Sequence, residues 1–280
     1  MQGIAGAQRG PHDGEGRLSG HAPNILASVD LPAGFRAHGE HLAVDLDGAT
    51  ALFTTRRGGV SHGPYASLNL GRITGDDGEA VRANRERVAE EVGHGWGRFA
   101  VGRQVHGTRV LVTGEPPDRT GDEAPWPEVD GQATALAGVP ALVFTADCLP
   151  VALAAPGAVT MLHCGWRGLA GGIVAEGVRA LRGLAGDDPP VSAAIGPGIG
   201  RCCFEVGDEV RDAFADLGDD VRHGRNLDLA LIARRKLEAE GVAQIHDAGL
   251  CTSCHPELFF SHRRDRGVTG RQAGVVWRRG

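Results

Sequence analysis

Two apolar runs set end to end constrain this chain more than any other feature. PALVFTADCLPVALAAP (140–156) and AVTMLHCGW (158–166) are dominated by aliphatic residues and joined by a short connection. Short continuous apolar runs of this kind read as buried β-strands. The first is interrupted at Asp147–Pro150, and the second ends on His163 before a Gly-rich turn. If the two strands pair, Cys148 and His163 reach one mouth of the sheet. Strand ends are where sites concentrate in open sheets.

The rest of the chain alternates short strands with amphipathic helices. ALFTTR (51–56) reads as a strand, and RFAVGRQVHGTRVLVT (98–113) as two strands around a turn at His106–Gly107. In GDDGEAVRANRERVAEEV (75–92), Val81, Val88 and Val92 recur at helical spacing. Further helices are expected over 173–186, 204–217 and 227–241, with RGLAGG as a turn before the first of them. There is no strict strand–helix alternation, so the pattern predicts an α+β fold with mixed sheets in one domain over 26–280. Residues 1–25, rich in Gly and polar residues, read as a disordered tail.

Composition narrows the function. A net charge of −6 argues against non-specific nucleic-acid binding, which needs a basic surface. No apolar run approaches the ~18 residues of a membrane span. The N-terminus lacks the apolar core of a secretory signal. Six cysteines without such a signal point to the reducing cytoplasm. The single lysine, Lys236, lies in a charge-rich helical stretch, so Schiff-base chemistry finds little support.

Three side chains stand at strand–turn junctions: His106, Cys148 and His163. Two imidazoles and one thiolate suit catalytic zinc with an open fourth position. The same donors suit copper. The residue types also fit a hydrolase with Cys148 as nucleophile and His163 as base. Cys164 alternates with His163 and is expected in the core. Cys202–Cys203 and the C-x-x-C of CTSCH (251–255) read as structural cysteines in preference to a second metal site. Arginines gather at Gly-rich turns: Arg56 and Arg57, Arg167, Arg263 and Arg264, and Arg271. Arg at such turns suits a bound anion.

These segments also resemble a known family. FTTRRGGVSHGPYASLNLG, QVHG, DGQAT, TADCLPV, HCGWRGLAGGI, IGPGIGRCCFEV and CTSCHPELFFSHRRDRGVTGRQ look like the purine nucleoside phosphorylases formerly called laccase-domain or multicopper polyphenol oxidoreductase proteins. The resemblance runs in order over roughly residues 40–278. It implies a four-layer α/β/β/α fold and zinc on His106, Cys148 and His163. It also implies phosphorolysis of adenosine, inosine and methylthioadenosine, together with adenosine deamination. Some members are linked to peptidoglycan precursor editing, the context in which a Cys/His hydrolase would act. Copper-dependent polyphenol oxidation, the older reading, needs many imidazoles in H-x-H pairs, and this sequence has none.

For these reactions the partners are a purine nucleoside and phosphate, with the chain acting as monomer or homodimer. Arg57 and Arg167 are the expected phosphate ligands, and Ser67 and Asn69 the expected ribose ligands. Zinc deaminases move protons through a Glu. No glutamate stands two residues after either ligand histidine, so Asp147, beside Cys148, is the expected shuttle.

Overall fold

The computed structural model describes residues 26, 30–117, 125–186 and 189–279. The segment 1–25, expected as a tail, lies outside the described residues. Five antiparallel strands form the first sheet, in the order β1 (Phe35–His38), β2 (His41–Leu46), β3 (Ala49–Phe53), β13 (Gln272–Arg278) and β6 (Ala141–Thr145). The second is six-stranded, in the order β12 (Gln244–Asp247), β9 (Ser192–Ile195), β7 (Leu149–Ala155), β8 (Ala158–Cys164), β5 (Gly131–Thr134) and β4 (Val110–Thr113). It is mixed: β12–β9 and β4–β5 pair in parallel and the other neighbours antiparallel, while β10 (Arg222–His223) and β11 (Asn226–Leu227) form a separate antiparallel ribbon.

Every residue of β7 and β8 is buried, which explains their unbroken apolar character. Ala152, Ala154, Val159 and Met161 face Val44, Ala51, Phe53 and Val143 of the first sheet. Val151, Leu153 and Leu162 face α3 (Ile173–Ala185) and α5 (Leu229–Ala239) through Val174, Val178, Ile232 and Leu237. On the outer face of the first sheet, Ala43, Leu52 and Val275 pack against Val88 and Val92 of α1 (Gly78–Val92). The order of layers is therefore α1, sheet, sheet, α3 with α5: α+β in four layers, as the resemblance implies. Asp77 caps α1 by accepting the Glu79 amide, and Gly93 ends it at φ 78°. No helix among the described residues is long and apolar enough to cross a membrane.

Three expected elements differ. The 98–113 segment holds one strand, β4. Its first half makes only isolated bridges, Ala100 to Ala141 and Arg103 to Glu128. RGLAGG belongs to a helix, α2 (Trp166–Gly171), because Leu169 is fully buried in the core and packing overrides the low helix propensity of glycine. The 204–217 helix shrinks to α4 (Asp208–Asp212) and a short 3₁₀ turn at Ala215–Leu217.

Candidate metal centre

The β7–β8 hairpin turns through Pro156 and Gly157, with Gly157 at φ 88°. Its register pairs Pro150 with His163 and Leu149 with Cys164. Cys148, one residue before β7, thus sits at the same sheet end as His163. Side-chain alternation sends the neighbouring Cys164 into the core against α3, as expected.

His106 arrives from a different element. It lies in the loop before β4, with its backbone in the left-handed region at φ 61°. That conformation disfavours a side-chain-bearing residue, and Asp130 holds it. Fully buried and immediately before β5, Asp130 accepts the amide N–H groups of Val105 (3.1 Å), His106 (2.9 Å) and Gly107 (2.7 Å). Three successive amides closing on one carboxylate form an anion nest. The same carboxylate lies 2.8 Å from His163 Nδ1. It therefore orients both histidines and leaves His163 Nε2 for a metal, the carboxylate–histidine–metal arrangement of a supported ligand.

The electrostatics follow. Burial pushes the Asp130 carboxyl up, but the hydrogen bonds from His163 and the Gly107 and Val105 amides hold it below the ordinary carboxylate range. Burial likewise pushes the Cys148 thiol up, and the imidazoles of His163 and His106 bring it down to about 6. His163 is pushed down by burial and brought up to about 9 by Cys148 and Asp130. Each of the two groups therefore favours the charged form of the other.

The donor atoms of His106, Cys148 and His163 lie within 4.8 Å of one another, and Cys148 Sγ is 3.8 Å from His106 Nε2. Tetrahedral zinc, with Zn–S of about 2.3 Å and Zn–N of about 2.0–2.1 Å, needs S···N separations of about 3.6 Å. The residues therefore fit zinc. A Cβ at Gly165 would fall 2.9 Å from His106 Cδ2 and 3.0 Å from Cys148 Sγ, so this glycine gives the ligands their room.

All three donors open onto a cavity of about 470 Å³, within the usual range for small-molecule sites. Its walls include Trp126, Phe144, Phe204 and Trp166, together with Arg72, Arg103, Arg263 and Arg271. Trp126 stacks on Phe144 at 5.7 Å and 11°. Arg85, fully buried beneath them, donates to the Leu70 carbonyl and lies about 5 Å from the rings of Trp96 and Trp126.

The other expected site residues fall as follows. Asp147 lines the cavity, but both its carboxylate oxygens are engaged, by the Thr252 hydroxyl (2.6 Å) and the Arg263 amide (2.7 Å). Arg57 lies outside the cavity lining and pairs with Glu40 at 3.3 Å. Arg167 stacks on Trp166, 4.3 Å above the ring, and is not among the lining residues. Ser67 accepts the Gly59 amide and donates to the Arg56 carbonyl. Asn69, fully buried, accepts the Gly71 and Arg271 amides and donates to Thr74 and Asp76. Both build the loop rather than face the cavity. Sequence reasoning missed Asp130, Gln104 and His262. Asp130 opens the DGQAT segment, where an acidic residue directly before a buried strand was the available signal. Gln104 clamps the Phe144 backbone with both amide atoms. His262 lines the wall.

Residues 50–279 match the family model described as multi-copper polyphenol oxidoreductase laccase. The chain is 39% identical over 251 residues to purine nucleoside phosphorylase YlmD of Geobacillus stearothermophilus, covering 83% of this chain and 91% of that one. It is 38% identical over 250 residues to purine nucleoside phosphorylase YfiH of Escherichia coli, covering 82% and 94%. The crystal structure of the Geobacillus YlmD superposes with a TM-score of 0.78 at 37% identity, covering 89% of this chain and all of that one. Sequence over most of its length and fold alike make this chain a member of the multi-copper polyphenol oxidoreductase laccase family, in which these relatives carry the name purine nucleoside phosphorylase.

Proposed function

We propose that this protein is a zinc-dependent purine nucleoside phosphorylase that also deaminates adenosine. Adenosine, inosine and methylthioadenosine are the substrates, and phosphorolysis yields free base and ribose 1-phosphate. The observation that carries the reading is a three-donor site opening onto a cavity with aromatic walls and an arginine rim. Zinc held by His106, Cys148 and His163 would supply a Lewis acid with an open position. Trp126 and Phe144 offer flat faces for a purine. Arg271 and Arg263 replace Arg57 and Arg167 as the phosphate cations. Arg271 is half-buried; burial holds its guanidinium below the ordinary range, partly offset by Cys148 and Asp147 beside it. Asp147 acts as a positioning residue, tying the Thr252 and Arg263 segments to the cavity wall through hydrogen bonds it already makes. The names of the similar relatives support the phosphorylase reading.

Incubating zinc-loaded protein with adenosine, with and without phosphate, separates the activities. Phosphorolysis gives adenine only with phosphate, whereas deamination gives inosine either way. Absence of both products from zinc-loaded protein would overturn the proposal.

One observation favours a second reading, a Cys/His hydrolase: a thiol and an imidazole, Cys148 and His163, meet at the cavity, and each shifts the other toward its charged form. If Cys148→Ser keeps zinc but loses all turnover, the nucleophilic cysteine is the better account. Copper oxidase chemistry fits poorly. Among the described residues, the two groups of metal-ligand side chains hold only two imidazoles between them, too few for a multicopper centre.

A further inference from the structure

A second group of thiols gathers away from the first site. Cys202 and Cys203 follow the loop after β9, and Cys251 and Cys254 lie in the turn after β12. A parallel bridge between Gly198 and Cys251, with the Thr252 amide donating to the Gly198 carbonyl at 2.9 Å, brings the two segments together. The four sulfurs lie within 4.8 Å of one another. Cys254 Sγ is 3.4 Å from Cys202 Sγ and 3.5 Å from Cys203 Sγ.

These separations are far from a disulfide bond of about 2.0 Å, and all four cysteines are free thiols. They approach the roughly 3.8 Å between sulfurs of a tetrahedral ion with Zn–S near 2.3 Å. Core packing explains a buried free cysteine, but Cys202 and Cys254 are exposed. The Gly200 amide donates to Cys251 Sγ at 3.2 Å, a bond that favours the thiolate. A Cβ at Gly200 would lie 3.1 Å from Cys251 Cβ and 3.3 Å from Cys202 Sγ, so the loop closes tightly on the thiols.

We propose that Cys202, Cys203, Cys251 and Cys254 bind one zinc ion in a closed four-thiolate site that clamps the cavity wall. Four soft donors around one centre select zinc, and four protein ligands leave no open position, so the role is structural. Sulfurs this close enclose a single ion and leave no space for a multi-iron cluster. What the clamp holds is explicit. Ile199 and Phe204, flanking the first cysteine pair, line the cavity. The Ile199 amide donates to the Asp147 carbonyl at 2.7 Å, and the Thr252 hydroxyl to the Asp147 carboxylate, one residue before Cys148. The expectation of merely structural cysteines is thus replaced by cysteines made structural through a metal.

Native mass spectrometry of the full chain, purified under reducing conditions, counts the ions. The wild type is expected to carry one more zinc than Cys202→Ser/Cys254→Ser, and one more than Cys148→Ser, which empties only the first site. A labelling experiment avoids dependence on the folding of any variant. Metal-stripped wild type titrated with zinc alone should lose iodoacetamide reactivity at Cys202 and Cys254, and a chelator should restore it. Equal zinc in wild type and the double variant, full labelling at zinc saturation, bound iron in place of zinc, or a disulfide in the reduced preparation would each overturn the proposal. Failure at Cys148 alone bears only on the first site.

Discussion

Asp130→Asn tests how the first site is built. In the wild type, Oδ1 faces the His106 amide and His163 Nδ1, and Oδ2 faces the Val105 and Gly107 amides. Asparagine keeps the shape but turns one oxygen into an NH₂ donor. Either the Val105 and Gly107 amides lose their acceptor, or the His106 amide and His163 do. Two hydrogen bonds to a charged acceptor, at about 1.5–3 kcal/mol each, bound the loss at about 3–6 kcal/mol. Water reaching the half-exposed loop reduces it. If the NH₂ faces His163, Nδ1 must accept, the proton moves to Nε2, and the ring is lost as a ligand. Loss of such supporting contacts weakens metal binding about 10–100-fold. Competition with a chelating zinc indicator measures the affinity, and a thermal melt of metal-stripped protein measures the loop. Unchanged zinc affinity in a folded Asp130→Asn variant would refute the reasoning.

Three further outcomes follow from the same geometry. Gly165→Ala should leave the metal-stripped fold intact, since φ −76° suits alanine, yet weaken zinc binding about tenfold or more through overpacking of about 1–3 kcal/mol against His106 and Cys148; equal affinity would show that the ligands give way freely. In metal-stripped protein, Cys148 alkylation should titrate near about 6 instead of its ordinary 9.0. A depressed thiol contributes stability above its unfolded value that is lost as pH falls through about 6, whereas raised His163 contributes below 6.5 and loses it as pH rises through about 9. An alkylation midpoint near 9 would remove the ion pair. Arg271→Ala should raise KM for phosphate about tenfold while Arg57→Ala leaves it unchanged, read from initial rates at varied phosphate; the reverse order would restore Arg57 to the site.

The strands, and the three donors gathered at one end of the sheet, were legible through local signals. β7 and β8 read as apolar runs because both faces are buried, and period-two alternation separated His163 from Cys164. His106 was visible as a polar residue beside a glycine at a turn. The remainder depends on contacts distant along the chain. Asp130 meets the amides of a loop more than twenty residues away, with no local pattern to announce it. Arg57 and Arg271 have similar Gly-rich surroundings, and only packing sets Arg271 in the cavity wall while Arg57 pairs with Glu40 outside it. The four thiols are two pairs about fifty residues apart, joined by a single bridge, so counting C-x-x-C motifs overlooks them. Helix α2 was hidden by its glycines, and burial of Leu169 outweighed them.

The central claim is that metal on His106, Cys148 and His163 enables purine nucleoside turnover. Its most direct test follows adenine release from adenosine and phosphate while zinc is titrated into the metal-stripped wild-type chain. The account predicts no release without zinc, a rise that is complete by two zinc ions per chain, and no rise in Cys148→Ser protein at any zinc concentration. Undiminished release from the stripped protein, or none at saturating zinc from a folded chain, would contradict it.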